Sequence, residues 1–361
     1  MKKHMSIFIT IAIAASISTV FAVEGLKFGI EESKKLAVDN SKQTVIDDLD
    51  IKSKESVLKE AEKDAKMSTS GNSRTELLDN KVKKEVTVPK AAADIEFAKK
   101  TRELNLDKLK LDVYKASLNM LLIKKELEAE TSKQDILKEK YNMAEVRFKE
   151  GKVTENDVFD AKYALDAKAI DVNKINKRLE TANLELKRLM GLSMDNNLVE
   201  IKDDLVLVST AGIDIEKIIE KALNNDIDVL TKNEEYKASE KTMKLTEEIF
   251  EEGQTTYDDN KLNLENAKVT LEDTKANLEV AIRNKYNDML TAKDKVELAQ
   301  KWEAINKTKL DNAQFKYEKG HISKEEVLNS KEQYLDAQYQ TYLAIFNFNT
   351  IKSEFDTLYV R

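Results

Sequence analysis

The sequence contains no cysteine, only one proline, eight glycines and two histidines among its 361 residues. Without cysteine the chain cannot form disulfides or thiolate metal sites, so an exported form would be held together by packing alone. The few proline and glycine residues exclude a loop-rich domain, and the 35% of charged residues agrees with long, solvated helices. The composition therefore predicts a mainly α-helical protein.

Residues that could carry catalysis or hold a cofactor are equally scarce. His4 lies in the N-terminal segment that is predicted to be a signal peptide, and His321 is interpreted as a solvated turn residue without catalytic partners. The sequence has no glycine-rich phosphate loop and no serine elbow. The acid pairs Asp47-Asp48 and Asp258-Asp259 are interpreted as solvated surface. We predict a protein that is not an enzyme and that has no catalytic residue, no cofactor and no metal site.

Charges of both signs are mixed along the chain, with 60 Lys and Arg against 67 Asp and Glu. Nucleic-acid binding requires a concentrated basic face, so no nucleic-acid partner is expected. At the N-terminus, Lys2 and Lys3 precede an apolar run from Ile7 to Ala15, and Val20-Phe21-Ala22 follows with small residues where a signal peptidase cleaves. We predict export with cleavage after Ala22. The alternative is a retained anchor, for which the run is shorter than the roughly 20 apolar residues of a spanning helix.

A glycine-centred motif occurs twice. The sequences RFKEGKVTENDVFDAKYAL and FKYEKGHISKEEVLNSKEQYL align Gly151 with Gly320 and Thr154 with Ser323. Apolar residues spaced alternately three and four apart follow each glycine, as in the seam of a coiled coil. Glycine suits the left-handed residue that ends a helix, and a threonine or serine can then cap the next helix. Each motif is therefore predicted to be the turn of a helical hairpin.

The predicted organisation has two tandem helical repeats. The segments are a signal peptide (1–22), a first helical repeat (23–195, tip turn at Gly151), a short linker with β-type alternation (196–212) and a second helical repeat (213–361, tip turn at Gly320). The stretch from Ala91 to Lys149 would by itself make a helix on the order of 90 Å long. The polar stretch Met67–Lys90, with Pro89, is predicted to hold the extra residues of the first repeat. The predicted fold is a set of elongated antiparallel helical hairpins with little or no β-structure.

Three stretches carry a resemblance to a known family. They are RFKEGKVTENDVFDAKYALDAK, LETANLELKRLMGL and YEKGHISKEEVLNSKEQYLDAQ. Together with the internal duplication they resemble the TolC family of outer-membrane efflux proteins. The resemblance implies a homotrimer that forms a hollow helical tube in the cell envelope, with the glycine turns at its tip. It also implies two kinds of partner: a membrane-fusion (adaptor) protein that docks at the tip, and an inner-membrane or ABC-type pump.

The resemblance assigns roles to individual residues. Those that match the family's adaptor-docking tip are Arg147, Phe148, Gly151, Val153, Tyr317 and Gly320. The acidic candidates for lining the pore are Asp157, Asp160 and Glu326, and three-fold symmetry would multiply them into a ring that favours cations. The alternative is that acids at these positions only stabilise helix N-termini. Asn329 and Ile322 depart from the family at a second acid and at an arginine latch.

The sequence also departs from the family where membrane-spanning β-strands are expected. Spanning strands need roughly 9 to 11 residues of alternating character, whereas FEEGQTTYDDNKLNLEN in the second half is polar throughout. In the first half Val82, Val86 and Val88 lie among lysines, so neither segment is suited to lipid. The prediction is a helical tube that lacks these strands. The alternative is a structural coiled-coil protein that spaces or scaffolds the envelope without conducting.

Overall fold

The computed structural model describes residues 26–67, 73–195, 197–209 and 212–360. The predicted signal peptide, residues 1–22, lies outside the described residues. The helices are α1 (Ile30–Asp39), α2 (Lys42–Met67), α3 (Arg74–Val82), α4 (Val88–Lys149), α5 (Glu155–Leu189), α6 (Ile215–Asn225), α7 (Ile227–Glu247), α8 (Thr255–Glu318) and α9 (Lys324–Tyr359). Two short strands, β1 (Lys27–Phe28) and β2 (Glu200–Ile201), pair in parallel. The predicted mainly helical fold with little β-structure is confirmed.

Two hairpins of long helices form the body of the protein. α4 has 62 residues and α8 has 64, which corresponds to roughly 95 Å for each at 1.5 Å per residue. After its glycine turn, α4 packs against α5, and α8 packs against α9 in the same way. α4 also packs against α9. The order across the long helices is therefore α5, α4, α9, α8, with α5 and α8 at the two edges.

The apolar core lies well above the glycine turns, about midway along α4 and α8. It includes Val113 and Met120 of α4, Met289 of α8 and Phe348 of α9, each at most 1% exposed. The seam predicted along α5 is buried from Ile175 onward, at Ile175, Leu179, Ala182 and Leu186. Nearer the turn, its members are half-buried or exposed. The reason is that the linker covers the upper part of α5, where it is bound to Asn183, whereas near the turn the main contact of α5 is α4.

The stretch predicted to carry the extra residues of the first repeat is mostly helical. α3 continues through a π-helical turn (Lys83–Thr87) directly into α4, where Pro89 occupies the first helical turn. Proline lacks an N–H donor and its ring crowds the carbonyl of the preceding turn. The π turn provides room, since the Val88 N–H donates to the Lys83 carbonyl, five residues earlier. The long helix therefore begins three residues before the predicted Ala91.

The linker between the hairpins is extended and is bound to both of them. The Val199 N–H donates to Oδ1 of the buried Asn183 in α5 (2.8 Å), and Nδ2 of the buried Asn349 in α9 donates to the Val206 carbonyl (2.7 Å). Asp203 Oδ2 accepts the Ile30 N–H at the start of α1 (2.7 Å). The predicted β-type alternation corresponds to β2. Its partner β1 was not predicted, because two residues are too short to show a pattern.

One acid interpreted as solvated is buried. Asp47 is 8% exposed, and its Oδ1 accepts hydrogen bonds from Gln43 Nε2 (3.0 Å) and Asn105 Nδ2 (2.9 Å). The interpretation was wrong because α2 packs on α4 and places this position at the interface. Asp258 and Asp259 are exposed, as predicted. No helix in the described ranges combines the length and the hydropathy needed to cross a bilayer.

Candidate functional site

The two glycine turns have the same backbone geometry. Gly151 and Gly320 adopt positive φ angles of 69° and 74°, in the left-handed region that disfavours residues with a Cβ. In each turn the glycine N–H donates to the carbonyl three residues earlier, and the next N–H donates to the carbonyl five residues before it, at 2.8–2.9 Å. This pattern closes the C-terminus of a helix. Both helices therefore end at the predicted glycine.

Each returning helix begins with a capping box, in which a hydroxyl and a carboxylate satisfy two backbone N–H groups. The Thr154 N–H donates to Asp157 Oδ2 (2.7 Å), and the Asp157 N–H donates to Thr154 Oγ1 (3.3 Å). Ser323 and Glu326 make the same pair of bonds, at 2.8 Å and 3.3 Å. Hydrogen bonds from the Thr154 hydroxyl and N–H lower the pKa of Asp157. The predicted caps are thus confirmed, and both acids serve helix N-termini.

The two tips lie side by side and at the same level. Arg147 Nη1 is 3.2 Å from Glu325 Oε2, and Lys324 Nζ is 3.4 Å from Glu139 Oε1. A groove of about 310 Å³ near the tips is lined mainly by the first hairpin, including Arg147, Val153 and Asp157, and at its edge by Glu325 from the second hairpin. The fold therefore brings two of the predicted docking residues, Arg147 and Val153, together with Asp157, one of the predicted pore-lining acids, in one groove. Glu325 also lines it and was not predicted.

The tips expose aromatic side chains to solvent. Phe148 is 45% exposed and Tyr317 is 39% exposed, with Lys324 Nζ 5.7 Å from the Tyr317 ring centroid. Phe159 and Phe315, which the sequence interpretation missed, are each 59% exposed. The sequence pattern that could have identified Phe159 and Phe315 is an aromatic residue a few positions before or after a glycine turn that does not belong to the apolar seam. Such surface is available to a protein partner.

In three of the ion pairs that join the two hairpins from the tips upward, the base is on α4 and the acid is on α9. They are Lys133 with Asp336, Lys140 with Glu332 (3.2 Å) and Arg147 with Glu325 (3.2 Å). The three bases are spaced by seven residues, so they lie on one face of α4. Near the tips the interface between the hairpins is therefore ionic, and Lys324 and Glu139 add a pair of the opposite polarity. Its upper part combines the apolar core with one ion pair, Lys115 with Glu354 (2.6 Å).

Of these three pairs, the one farthest from the tips, Lys133 with Asp336, belongs to a network that also includes α5. Lys133, whose side chain is 10% exposed, lies 2.6 Å from Glu130, and Glu130 lies 2.8 Å from Lys168 of α5. Burial would raise the pKa of Glu130, but the hydrogen bonds from Lys133 and Lys168 outweigh it, so the pKa is lowered. Within the described ranges, no cluster of His, Asp and Glu side chains is arranged to hold a metal ion.

The arrangement of helices is shared with solved outer-membrane channels. CmeC from Campylobacter jejuni matches with a TM-score of 0.65 and 13% identity, over 91% of this chain and 85% of that one. OprN matches with a TM-score of 0.69 and 12% identity, over 91% and 89%. The open state of MtrE from Neisseria gonorrhoeae matches with a TM-score of 0.61 and 12% identity, over 91% and 88%. The chain has the TolC fold.

The TolC fold was inferred from the sequence through three short stretches, and it extends over nearly the whole chain. No protein-family model matches the sequence, and no curated protein matches it significantly. At 12–13% identity the likeness establishes the fold. Within the TolC fold Asp160 is exposed on the first turns of α5 and lies outside the groove. The roles of the tip residues and of the three acids stay predictions.

Proposed function

We propose that this chain is a subunit of a cell-envelope export conduit, in which three copies form a helical tube. The observation that carries the proposal is the pair of long hairpins with level tips, in a fold that matches channel proteins over 91% of the chain. Long antiparallel helices packed side by side form a wall rather than a compact core. The tube acts by conduction, without catalysis, after export and removal of residues 1–22.

The tips of the tube are the docking site for an adaptor protein of an inner-membrane or ABC-type pump. Support comes from the exposed Phe148 and Tyr317, from the groove lined by Arg147 and Val153, and from the glycine turns that bring these side chains to one end. Aromatic and arginine side chains are enriched where proteins bind one another. The rim charges, such as Lys324 and Glu325, would orient the partner.

The acids of the tips give the conduit a preference for cations. Asp157 and Glu326 cap helices that begin at the tip, and Asp160 follows one turn later. A three-fold axis would repeat each acid around the opening, where carboxylates attract cations. The capping bonds do not remove the charge of Asp157, since its lowered pKa keeps it ionised at neutral pH.

The proposal is tested by the mass and the shape of the purified mature protein. Light scattering should give three times the mass of one chain, and electron-microscope images should show an elongated particle with an axial lumen. A trimer with a filled axis would indicate the scaffold alternative, since a solid bundle spaces the envelope without conducting. A stable monomer at micromolar concentration would refute both the conduit and the trimer.

A further inference from the structure

One face of α9 carries a line of exposed amide side chains. Between residues 333 and 357, the exposed positions of α9 are Gln333, Asp336, Gln340 and Asn347. The three amides are spaced by seven residues, which places them on one line along the helix. Their amide groups make no hydrogen bond within the part of the chain that the structure describes. They are therefore available to a solute as donors and as acceptors.

The line of amides continues to an acid at each end. Glu326, seven residues before Gln333, is the exposed acid of the second tip. Glu354, seven residues after Asn347, is held between Lys115 of α4 (2.6 Å) and Lys285 of α8. Asp336, which lies beside the line, is paired with Lys133. The middle of the line therefore presents neutral amides over about 21 Å, and its unpaired acid lies at the tip.

The amides lie opposite the face of α9 that binds the linker. On that face Asn349 Oδ1 accepts the Val208 N–H (3.1 Å), and its Nδ2 donates to the Val206 carbonyl. Gln340 and Asn347 precede Asn349 by nine and two residues, so at about 100° per residue they point about 160–180° away from it. α1 is bound to the linker through Asp203. The linker and α1 therefore form an added layer on one side of the wall, and the amides lie on the other.

The dimensions of the proposed tube decide which side is the inner one. Three copies of the four long helices, with about 10 Å between helix axes, make a ring about 38 Å in diameter. One helix thickness of about 10 Å leaves about 28 Å inside the ring. A layer about 10 Å thick from each of three copies would fill most of that space. The linker and α1 therefore belong outside, and the amides of α9 face the axis.

A groove between α4 and α5 lies on the same side of the wall as the amides. It encloses about 570 Å³ and is lined in part by Asn119 and Ile123 of α4 and by Thr181 of α5. Thr181 comes two residues before the linker-bound Asn183, so it too points away from the linker. Three of the charged residues that line the groove are ion-paired with neighbours, namely Lys177, Arg178 and Glu185. The groove therefore adds an amide and a hydroxyl to the inner face.

We propose that the inner wall above the tips suits uncharged, hydroxyl-rich molecules, with Gln333, Gln340 and Asn347 of each copy forming three rings of amides. The proposal rests on the proposed tube and names the class of its substrate. An amide donates and accepts hydrogen bonds, as a hydroxyl does, so each ring can exchange bonds with successive hydroxyl groups. Weak sites that repeat about every 10 Å allow a molecule to bind and to move on.

Other classes of molecule fit this wall less well. An apolar molecule would take water from the amides without replacing the hydrogen bonds. An anion would meet the acids at the tip, and the amide rings offer it no compensating charge. The wall and the tip therefore favour the same neutral molecules over apolar and anionic ones.

Cysteine labelling tests where the amides lie, because the chain contains no native cysteine. In the trimer of the full mature protein, Gln340→Cys should react with N-ethylmaleimide but not with a maleimide on a polyethylene glycol wider than the lumen. Lys35→Cys, at an exposed position of α1, should react with both reagents. After denaturation both variants should react with both. Equal reaction of the folded Gln340→Cys variant with the two reagents would overturn the inner position.

Saturation-transfer NMR on the trimer tests the class of molecule. Maltohexaose, which is neutral and rich in hydroxyl groups, should bind, and hexagalacturonate, its acidic counterpart, should bind several-fold more weakly. The variant Gln340→Leu/Asn347→Leu removes two exposed amides and should weaken maltohexaose binding several-fold. The matched control is Asn224→Leu, which removes an exposed amide of α6 and should leave binding unchanged.

The outcomes separate this inference from the proposed function. A trimer with a lumen that does not bind maltohexaose, or that binds hexagalacturonate equally well, overturns the substrate class and leaves the conduit standing. An equal loss of binding in Asn224→Leu overturns the assignment to the amides of α9. A protein that stays monomeric refutes the conduit and this inference with it.

Discussion

Gly191, which follows α5, offers the sharpest test of the packing between the end of α1 and the first hairpin. Gly191 has φ 67°, and a Cβ built there would lie 2.6 Å from the Cβ of Asn40. Asn40 is fixed in this position, because its Nδ2 donates to the Met190 carbonyl (2.9 Å). Replacing Gly191 by alanine therefore combines an unfavourable backbone conformation with a steric overlap that a side-chain rotation cannot relieve.

The expected loss of stability follows from a comparison with Gly320, the glycine of the second tip. At Gly320, φ is 74° and nothing lies within 4 Å of an added Cβ, so Gly320→Ala should cost only the backbone term, about 1 kcal/mol. Gly191→Ala should cost the same term plus about 1–3 kcal/mol for forcing the neighbours apart. The expected loss in the free energy of unfolding is therefore about 2–4 kcal/mol for Gly191→Ala.

Urea unfolding followed by far-UV circular dichroism measures both variants. Asn40→Gly removes the clashing Cβ, so the double variant Asn40→Gly/Gly191→Ala should lose less stability than the two single losses added together. Equal losses for Gly191→Ala and Gly320→Ala, with no coupling to position 40, would refute the reasoning. The close approach of Asn40 to Gly191 would then have no energetic consequence.

Changes in the ion-pair network and at the linker should give three more outcomes. Lys133→Met should lower the unfolding free energy by about 1–2 kcal/mol. The loss should be smaller than for a fully buried pair, because the partner Asp336 is 58% exposed. An unchanged urea midpoint would contradict this prediction. The pKa of Glu130 is lowered from 4.5, so its ion pairs stabilise the fold above that value and the contribution is lost as the pH falls below it. Stability measured between about pH 6 and pH 3 should therefore fall less steeply in Glu130→Gln than in the parent, and parallel profiles would argue against it. Asn349→Ala should cost about 1–3 kcal/mol and speed proteolysis within residues 197–209. Asn224→Ala removes only one exposed hydrogen bond, to the Glu220 carbonyl, and should do neither.

The turns could be predicted because their determinants are local. Gly151 needs only its own missing Cβ to adopt a positive φ, and Thr154 and Asp157 cap each other across three residues. The same short-range logic applies to the second turn at Gly320. These contacts form wherever the sequence places a glycine between two helical patterns, so they do not depend on what lies beside the hairpin.

The contacts between the hairpins could not be predicted in the same way. Arg147 was singled out by resemblance, but its partner Glu325 lies far away in the sequence, in the second hairpin, and could be identified only once α4 and α9 were known to pack in register. Asp47 was misread for the same reason, since a carboxylate in a polar stretch is solvated unless another helix covers it. Helical periodicity shows which face is apolar and leaves the covering element undetermined.

The sequence by itself determined long helices, two glycine turns with their caps, and the resemblance that points to a conduit, because these depend on composition, periodicity and interactions within a few residues. Only the tertiary structure decided that the tips are level, that bases of α4 face acids of α9, and that α5 and α8 are the open edges. Each of these depends on the relative placement of distant segments, which is fixed by packing in the common core and by the asparagines that bind the linker.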